Sequence, residues 1–379
     1  MSDIIRISDA RLEELIAEDV PYFDLTTHIL GIGEALGAME YYTRENCVLC
    51  CTEEVARMAT MLNLTVEWFE PSGTKVEAGQ SFMRVRGSAA NLHLLWKVGL
   101  NMFDHYSAVA TKTRKMVDAA HAANPMCEVL TTRKSTPGNR DLLTKAIVAG
   151  GAFPHRMGLS ETVLVFDNHT RFMTAPSGAT GLDAFIELLP QIRRRCIEKK
   201  LFVEAGADDA RRLVRAGVDG IQFDKVSVVE LGPLVEELHG IDPHVALVAA
   251  GGIHPDNAAE YASTGVDGLV TTSCYTANPV DMSVKMFAYR VAARLPGQTR
   301  PIIKPFLSLR VHARKTQLRW NSSCWGPMGR KTGTIPPQLI GMQVTGSCCR
   351  GCRGRPRVRY GSSSTCARRA LPEAPLQVR

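Results

Sequence analysis

Six short apolar runs recur between residues 126 and 273, EVLTTR, TVLVFDN, LFVEAG, GIQFDK, VALVAAGG and GLVTTS, with helix-like segments between them. Short runs rich in Val, Ile, Leu and Phe and bounded by turn residues read as strands buried on both faces. A parallel strand can pair with its predecessor only after a crossover back to the same end of the sheet, usually a helix, and that crossover is right-handed. The recurrence therefore predicts repeated βα units and a parallel sheet. A full eight-fold barrel needs eight units, and this chain offers six.

Parallel order places every strand's carboxyl end, with the loop after it, on one rim where ligands bind. The richest rim segment is residues 131–169, TTRKSTPGNRDLLTKAIVAGGAFPHRMGLSETVLVFDNH. Arg133 and Lys134 end the first strand, and Pro137-Gly138 breaks the chain. Residues 141–148 resume with Leu142, Leu143, Ala146 and Ile147 at helical spacing, and Gly150-Gly151 stops that helix. His155 and Arg156 follow, then a second strand over 159–166 whose far end carries Asp167, Asn168 and His169.

A single Lys or Arg is ordinarily a solvated surface group. Arg133, Lys134, His155 and Arg156, all at strand ends or loop tips of one βαβ unit, together imply a carboxylate or phosphate ligand, which a guanidinium grips with two parallel hydrogen bonds. Later strands end in Glu204, Asp224-Lys225, Gly251-Gly252 and Thr271-Thr272-Ser273. One acid alone at such an end serves equally well as a helix cap.

The formal charge of +7 over 379 residues is unevenly spread. Residues 295–379 hold 16 Lys or Arg and one acid, Glu373, whereas residues 1–294 hold 29 basic and 37 acidic groups. The body is acidic and only the last segment is basic. That segment, rich in Arg, Gly, Ser, Pro and Cys, has the composition of a disordered tail that cannot bury much core. It offers non-specific attraction for nucleic acid, with little aromatic interleaving, and Cys348, Cys349 and Cys352 lack a second ligand cluster for zinc. A shifted reading frame accounts for the same abrupt change.

No run of 18 apolar residues occurs, and MSDIIRISDARLEEL lacks a basic region followed by an apolar one. Neither a membrane span nor a signal peptide is expected, and the expected location is the cytoplasm. Eleven irregularly spaced cysteines do not make a disulfide framework. SDARLEELIA reads as an amphipathic helix capped by Ser8, with Leu12, Leu15 and Ile16 as its buried stripe. Residues 35–86 alternate AMEYYTREN, TVEWFE and SFMRVRG with one helix, TEEVARMATML, a small α/β domain. Within it, Cys47, Cys50 and Cys51 read as buried thiols. Residues 91–119 form a long helical pattern interrupted near Ser107, and Arg193, Arg194, Arg195, Lys199 and Lys200 read as a solvated helix face. The expected domains are 1–110, with 275–290 open to assignment to it, then 111–274, then the tail 295–379.

The 131–169 segment resembles the signature of the quinolinate phosphoribosyltransferase (nicotinate-nucleotide pyrophosphorylase) family: T-R-K-T-x-P-G-x-R, then G-G-x-x-x-H-R-x-G-L, then D-N-H. Glu18, Asp19, Asp24 and Thr26 match its E-D-x-x-x-G-D-x-T motif, which helps shape the active-site entrance, with Phe23 replacing Gly. WKVGLN and SAVAT resemble E-R-x-x-L-N and S-G-I-A-T, so that Lys97 stands where the family has a substrate-binding Arg. Phe166 replaces a usual Lys and Lys225 a usual Asn. These three departures resemble the family's molybdenum-associated ModD branch, and the resemblance ends near Arg290.

The resemblance implies an α/β sandwich domain beside an incomplete six- or seven-stranded parallel α/β barrel. It implies a phosphoribosyltransferase using phosphoribosyl pyrophosphate (PRPP) and Mg²⁺ in a homodimer with shared active sites. Lys134, Glu204 and Asp224 would be catalytic, with Glu204 and Asp224 on the ribose and the metal. Lys97, Arg133, His155, Arg156, Phe166, Gly251, Gly252, Thr271, Thr272 and Ser273 would bind substrates, the glycine pair at the 5-phosphate. Two other readings stay open. The carboxylating enzyme of NAD synthesis acts on quinolinate, which Lys97 and Phe166 disfavour. A non-catalytic protein for molybdate or a pterin-like anion would need the cations but not Glu204 and Asp224.

Overall fold

The described backbone is built on two large sheets, of four and seven strands, and one small two-stranded sheet, with one long helix leading from the first large sheet to the second. The computed structural model describes residues 5–289, all inside a unit spanning Met1–Lys304. The expectations for 295–379 lie outside the described residues. Helices α1 (Asp9–Asp19) and α2 (Leu25–Leu30) lead into β1 (Leu36–Thr43), β2 (Cys47–Val48), α3 (Thr52–Met61), β3 (Thr65–Phe69), β4 (Lys75–Val76) and β5 (Ser81–Ser88). Ser8 caps α1 by accepting the Arg11 amide at 3.2 Å, and Leu12 is fully buried while Leu15 and Ile16 pack beside it.

Helix α4 (Ala89–Ala123) then runs without the break expected at Ser107. Ser107 is buried and its hydroxyl accepts the Cys50 amide at 3.0 Å. Thr111, one turn on, accepts the Val48 amide at 2.8 Å and donates to the Ser107 carbonyl at 2.6 Å. These hydroxyls satisfy a neighbouring segment instead of competing with the helix's own ladder, so the helix continues. Cys47, Cys50 and Cys51 in that segment are buried, as expected.

The second half comprises β6 (Glu128–Thr131), α5 (Arg140–Gly150), β7 (Phe153–Pro154), β8 (Val163–Val165), α6 (Asp167–Thr170), α7 (Gly181–Arg195), β9 (Leu201–Glu204), α8 (Ala207–Ala216), β10 (Gly220–Asp224), α9 (Val228–Ile241), β11 (Ala246–Ala250), α10 (Ala258–Ala262) and β12 (Gly268–Thr271). Seven parallel strands form one sheet in the order β7-β6-β12-β11-β10-β9-β8. The strand beyond the six apolar runs is β7, only two residues ending in a proline, which cannot donate to a ladder and so sits at an edge. β8 starts later than expected because Leu159 is exposed rather than packed. The chain then leaves this sheet, and β13 (Met282–Ala288) pairs antiparallel with β1 in a sheet ordered β13-β1-β5-β3.

Alternation along the strands creates two apolar layers. Val129, Val203, Ile221, Phe223, Leu247, Ala249 and Leu269 face the helices in the large core. Leu164, Phe202, Val248, Ala250 and Val270 form a separate inner cluster, with Leu130 and Phe166 packed on it. In a flat sheet β7 and β9 would lie five strand spacings apart, about 24 Å. Yet the ring of His155, just after β7, meets Phe202 of β9 edge-on at 5.8 Å, so the sheet is curled into an open barrel. Gly220 makes room for the ring, since a Cβ there would fall 2.3 Å from Phe202.

A buried ion cluster fastens the halves together: Lys145 of α5, 3% exposed, lies 2.8 Å from Glu54 and 3.1 Å from Glu53 of α3. Among the described residues no helix is long and apolar enough to cross a membrane. Replacing Lys145 with Met would leave two carboxylates without their countercharge, and urea unfolding is expected to show a loss of about 3–5 kcal/mol. A second expectation concerns Asp104 of α4, whose buried Oδ1 has no hydrogen-bond partner among the described residues and whose carboxyl burial pushes up to about 6 from 3.8. The native state then holds this proton longer than the unfolded chain, so the group costs stability as pH rises through that window. Asp104→Asn should melt higher than wild type at pH 8 and lose that advantage by pH 4.

Candidate active site

The strand ends of β6 and β12 are pinned to each other before any charged group leaves them. The Thr132 amide donates to the Thr271 carbonyl at 2.9 Å, and the hydroxyls of Thr132 and Thr272 share a hydrogen bond of 2.8 Å. Thr132 Oγ1 also accepts the Lys134 amide at 3.2 Å, and the Tyr275 hydroxyl donates to the Thr132 carbonyl at 2.9 Å. Arg133 and Lys134 project from this fixed corner. The His155 amide donates to the Thr131 carbonyl at 2.9 Å, which draws His155 and Arg156 alongside.

The electrostatics there suit an anion. Partial burial, then the neighbouring Arg133, lowers the pKa of Arg156. Burial, then Arg156, lowers that of His155, which favours its neutral form. Two guanidiniums held close with part of their water removed favour an anion that bridges them.

The carboxylates stand on the adjacent strands. Glu204 closes β9 and Asp224 closes β10. Partial burial holds the Glu204 carboxyl above its ordinary range; Gln222 opposes this by a hydrogen bond, Asp224 adds to it, and Lys134 and Lys225 oppose it. Lys134 is therefore an electrostatic neighbour of Glu204. Lys225 adopts the left-handed conformation, φ 59°, with its amide donating to the Ala250 carbonyl at 2.8 Å and its ammonium 3.9 Å from Asp224.

Gly251 is required where it stands: φ is 85°, and a Cβ would meet Asp224 Oδ1 at 2.5 Å. Gly252 follows at φ 76°. Thr271 is buried, with its hydroxyl donating to the Ile253 carbonyl at 2.7 Å and accepting the Ser273 amide at 3.0 Å, so it shapes the glycine loop. Thr272 and Ser273 are partly exposed.

Phe166 follows β8 and packs on the inner cluster. Asp167, Asn168 and His169 follow the end of β8, as expected, and form the turn α6: His169 Nδ1 accepts the Phe166 amide at 2.9 Å and Asp167 accepts from Arg171 at 2.7 Å. Lys97 is placed elsewhere. It lies on α4 with its ammonium 5.5 Å from the exposed Trp96 ring, and Asp104 as electrostatic neighbour. Among the described residues nothing joins it to the barrel rim.

Three contributors escaped the sequence reading. Gln222 donates to Glu204 at 2.7 Å, and it shares the period-two face of Gly220 and Asp224, a signal that was available. Arg11 of α1 donates to the Gly138 carbonyl at 3.1 Å and to Asn139 Oδ1 at 3.2 Å, holding the loop after Lys134. Tyr275 also had no local signal, since its partners lie more than 140 residues away.

Comparison with known proteins agrees with this architecture. Residues 24–107 match the quinolinate phosphoribosyl transferase N-terminal domain and residues 109–285 its C-terminal domain. A protein of Rhodobacter capsulatus named pyrophosphorylase ModD is 36% identical over 260 residues, 68% of this chain and 97% of its own length. Its namesake in Escherichia coli is 32% identical over 284 residues, 75% and 98% of the two chains. The solved nicotinate-nucleotide pyrophosphorylase of Francisella tularensis superposes with a TM-score of 0.67 at 24% identity, covering 75% of this chain and 98% of that one, which establishes the shared fold. With both halves matched in order and relatives above 30% identity aligned along nearly their whole length, the chain belongs to the quinolinate phosphoribosyltransferase family.

Proposed function

We propose that the protein is a ModD-like pyrophosphorylase, transferring the phosphoribosyl group of PRPP to a nitrogen-heterocycle acid with release of pyrophosphate. The observation that carries this reading is the pairing, on one rim, of the neighbouring guanidiniums of Arg133 and Arg156 with the carboxylates Glu204 and Asp224. A protein that only bound an anion would gain nothing from two acids beside it. The acceptor nitrogen attacks the anomeric carbon as the bond to pyrophosphate breaks, and positive charge builds on the ribose ring. Glu204 and Asp224 are suited to the ribose hydroxyls and that charge, Arg133, Lys134 and Arg156 to the anionic groups, and Gly251-Gly252 to the 5-phosphate.

Magnesium fits this donor set. Mg²⁺ takes one or two protein carboxylates together with substrate phosphates and water, and Glu204 and Asp224, which repel each other when bare, would hold it. Bound there, the ion would neutralise the departing pyrophosphate. The position of Lys97 supports a homodimer in which Lys97 of the partner subunit completes each rim. The exposed apolar residues Leu25, Ile29 and Leu30 of α2 favour such a contact. A cytoplasmic location and a link to molybdenum transport complete the reading.

Wild-type protein with PRPP, Mg²⁺ and a panel of nitrogen heterocycles is expected to release pyrophosphate with at least one acceptor. Glu204→Ala and Asp224→Ala should each weaken Mg²⁺-dependent PRPP binding while leaving the circular-dichroism spectrum unchanged. Unaltered PRPP affinity in both variants would sink the transferase reading in favour of the anion-binding one.

The acceptor follows from the charges. A second carboxylate taken out of water without a cation is costly, and Phe166 puts an aromatic wall at the rim. The acceptor is a flat ring with at most one carboxylate. Quinolinate, with two, should turn over poorly, and Phe166→Lys with Lys97→Arg should raise its kcat/KM at least about tenfold, or roughly 1.4 kcal/mol. Quinolinate turnover by wild type at the level of its best acceptor would return the chain to NAD synthesis.

A further inference from the structure

Gly220, Gln222 and Asp224 are the residues of β10 that face the barrel interior, since Ile221 and Phe223 belong to the outer core. The inner positions on neighbouring strands below the rim are apolar: Leu130, Leu164, Phe202, Val248 and Val270. Gln222 departs from that pattern. It is 6% exposed, and a primary amide carried into such a layer is costly unless its donors and acceptor are bonded. Packing alone would place a Met or Leu there.

What the amide does is hold one oxygen of one carboxylate. Gln222 and Glu204 are direct partners in the parallel pairing of β10 with β9, and Gln222 Nε2 donates to Glu204 Oε2 at 2.7 Å. Among the described residues Gln222 is the hydrogen-bond partner of that carboxylate. Lys134 and Lys225 act on Glu204 only through their charge and are themselves exposed, so they do not fix its rotamer. A free glutamate at a solvent-facing rim loses side-chain entropy when a ligand orders it, and a group ordered beforehand avoids that loss.

We propose that Gln222 is a positioning residue for PRPP: by fixing Oε2 of Glu204 from below, it leaves Oε1 oriented for the ribose hydroxyls or the Mg²⁺ that accompanies the pyrophosphate. The proposal rests on the phosphoribosyltransferase reading. It also assigns Gln222 a role opposed to its role in stability, because the barrel would be at least as stable with an apolar side chain of similar size.

That opposition is what the experiment reads. In Gln222→Met the melting temperature should equal or exceed that of wild type, while PRPP affinity in the presence of Mg²⁺, measured by titration calorimetry, falls about tenfold. The KM for PRPP should rise with it, and the KM for the acceptor should not change. In a Glu204→Ala background the same substitution should have no further effect on PRPP affinity, because the group it positions is gone. Wild-type PRPP affinity in Gln222→Met, or an undiminished effect without Glu204, would overturn the proposal and leave the transferase reading intact. A lower melting temperature with both KM values raised would assign Gln222 to packing. Failure of wild-type protein to bind PRPP at all would instead remove the parent reading, and this one with it.

Discussion

Two-residue alternation along six of the seven parallel strands is the constraint from which the site follows. It sends Val203, Phe223 and Leu247 outward under the helices, and Phe202, Val248 and Val270 inward to a core of their own. The same alternation, carried one or two residues further, delivers Glu204 and Asp224 to the rim. A slip of one residue in β9 or β10 would turn Glu204 or Asp224 toward the helices and bring an apolar group to the inner face in its place. The inner cluster is therefore the floor on which the charged groups stand. Gly220 shows how tightly that floor is built, since a single methyl there would displace Phe202.

Charge on the rim is arranged in two opposed sets that need a ligand to be reconciled. Arg133 and Arg156 repel each other, and so do Glu204 and Asp224, with Lys134 and Lys225 opposing the effect on Glu204. Such an arrangement is held in place by uncharged contacts: the Thr132–Thr272 bond, the Tyr275 hydroxyl and the tight turn at Gly251. The N-terminal half contributes as well. Arg11 grips the loop at Gly138 and Asn139, and Lys145 ties the following helix to α3 through Glu53 and Glu54.

Much of this was legible in the residues because the signals were local. Apolar runs a few residues long announced six of the seven strands, and the turn chemistry of Gly150-Gly151 ended α5 where Gly151 indeed turns left-handed, at φ 95°. The rim residues could be named since parallel order says which end of a strand matters. The failures share a cause, which is information held far away in the chain. Ser107 reads as a helix breaker until its hydroxyl is seen to accept the Cys50 amide. β7 is too short to be apolar or periodic, and it exists because β6 offers an edge. The roles of Arg11 and Tyr275 are set by partners more than a hundred residues distant.

Helix α4 has a mechanical meaning beyond its packing. Its 35 residues extend about 52 Å at 1.5 Å per residue. It contains no proline, its one glycine, Gly99, lies against the Tyr41 ring, and it packs on β1 and β5 of one sheet and on α5 and β6 of the other. A hinge needs residues free to change their backbone angles, and the continuous helical ladder of α4 has none to give. The helix thus acts as a spar that both sheets share along its length. The cations Arg133, Lys134, His155 and Arg156 stand instead on the short segments 132–139 and 155–162, which belong to no helix or strand.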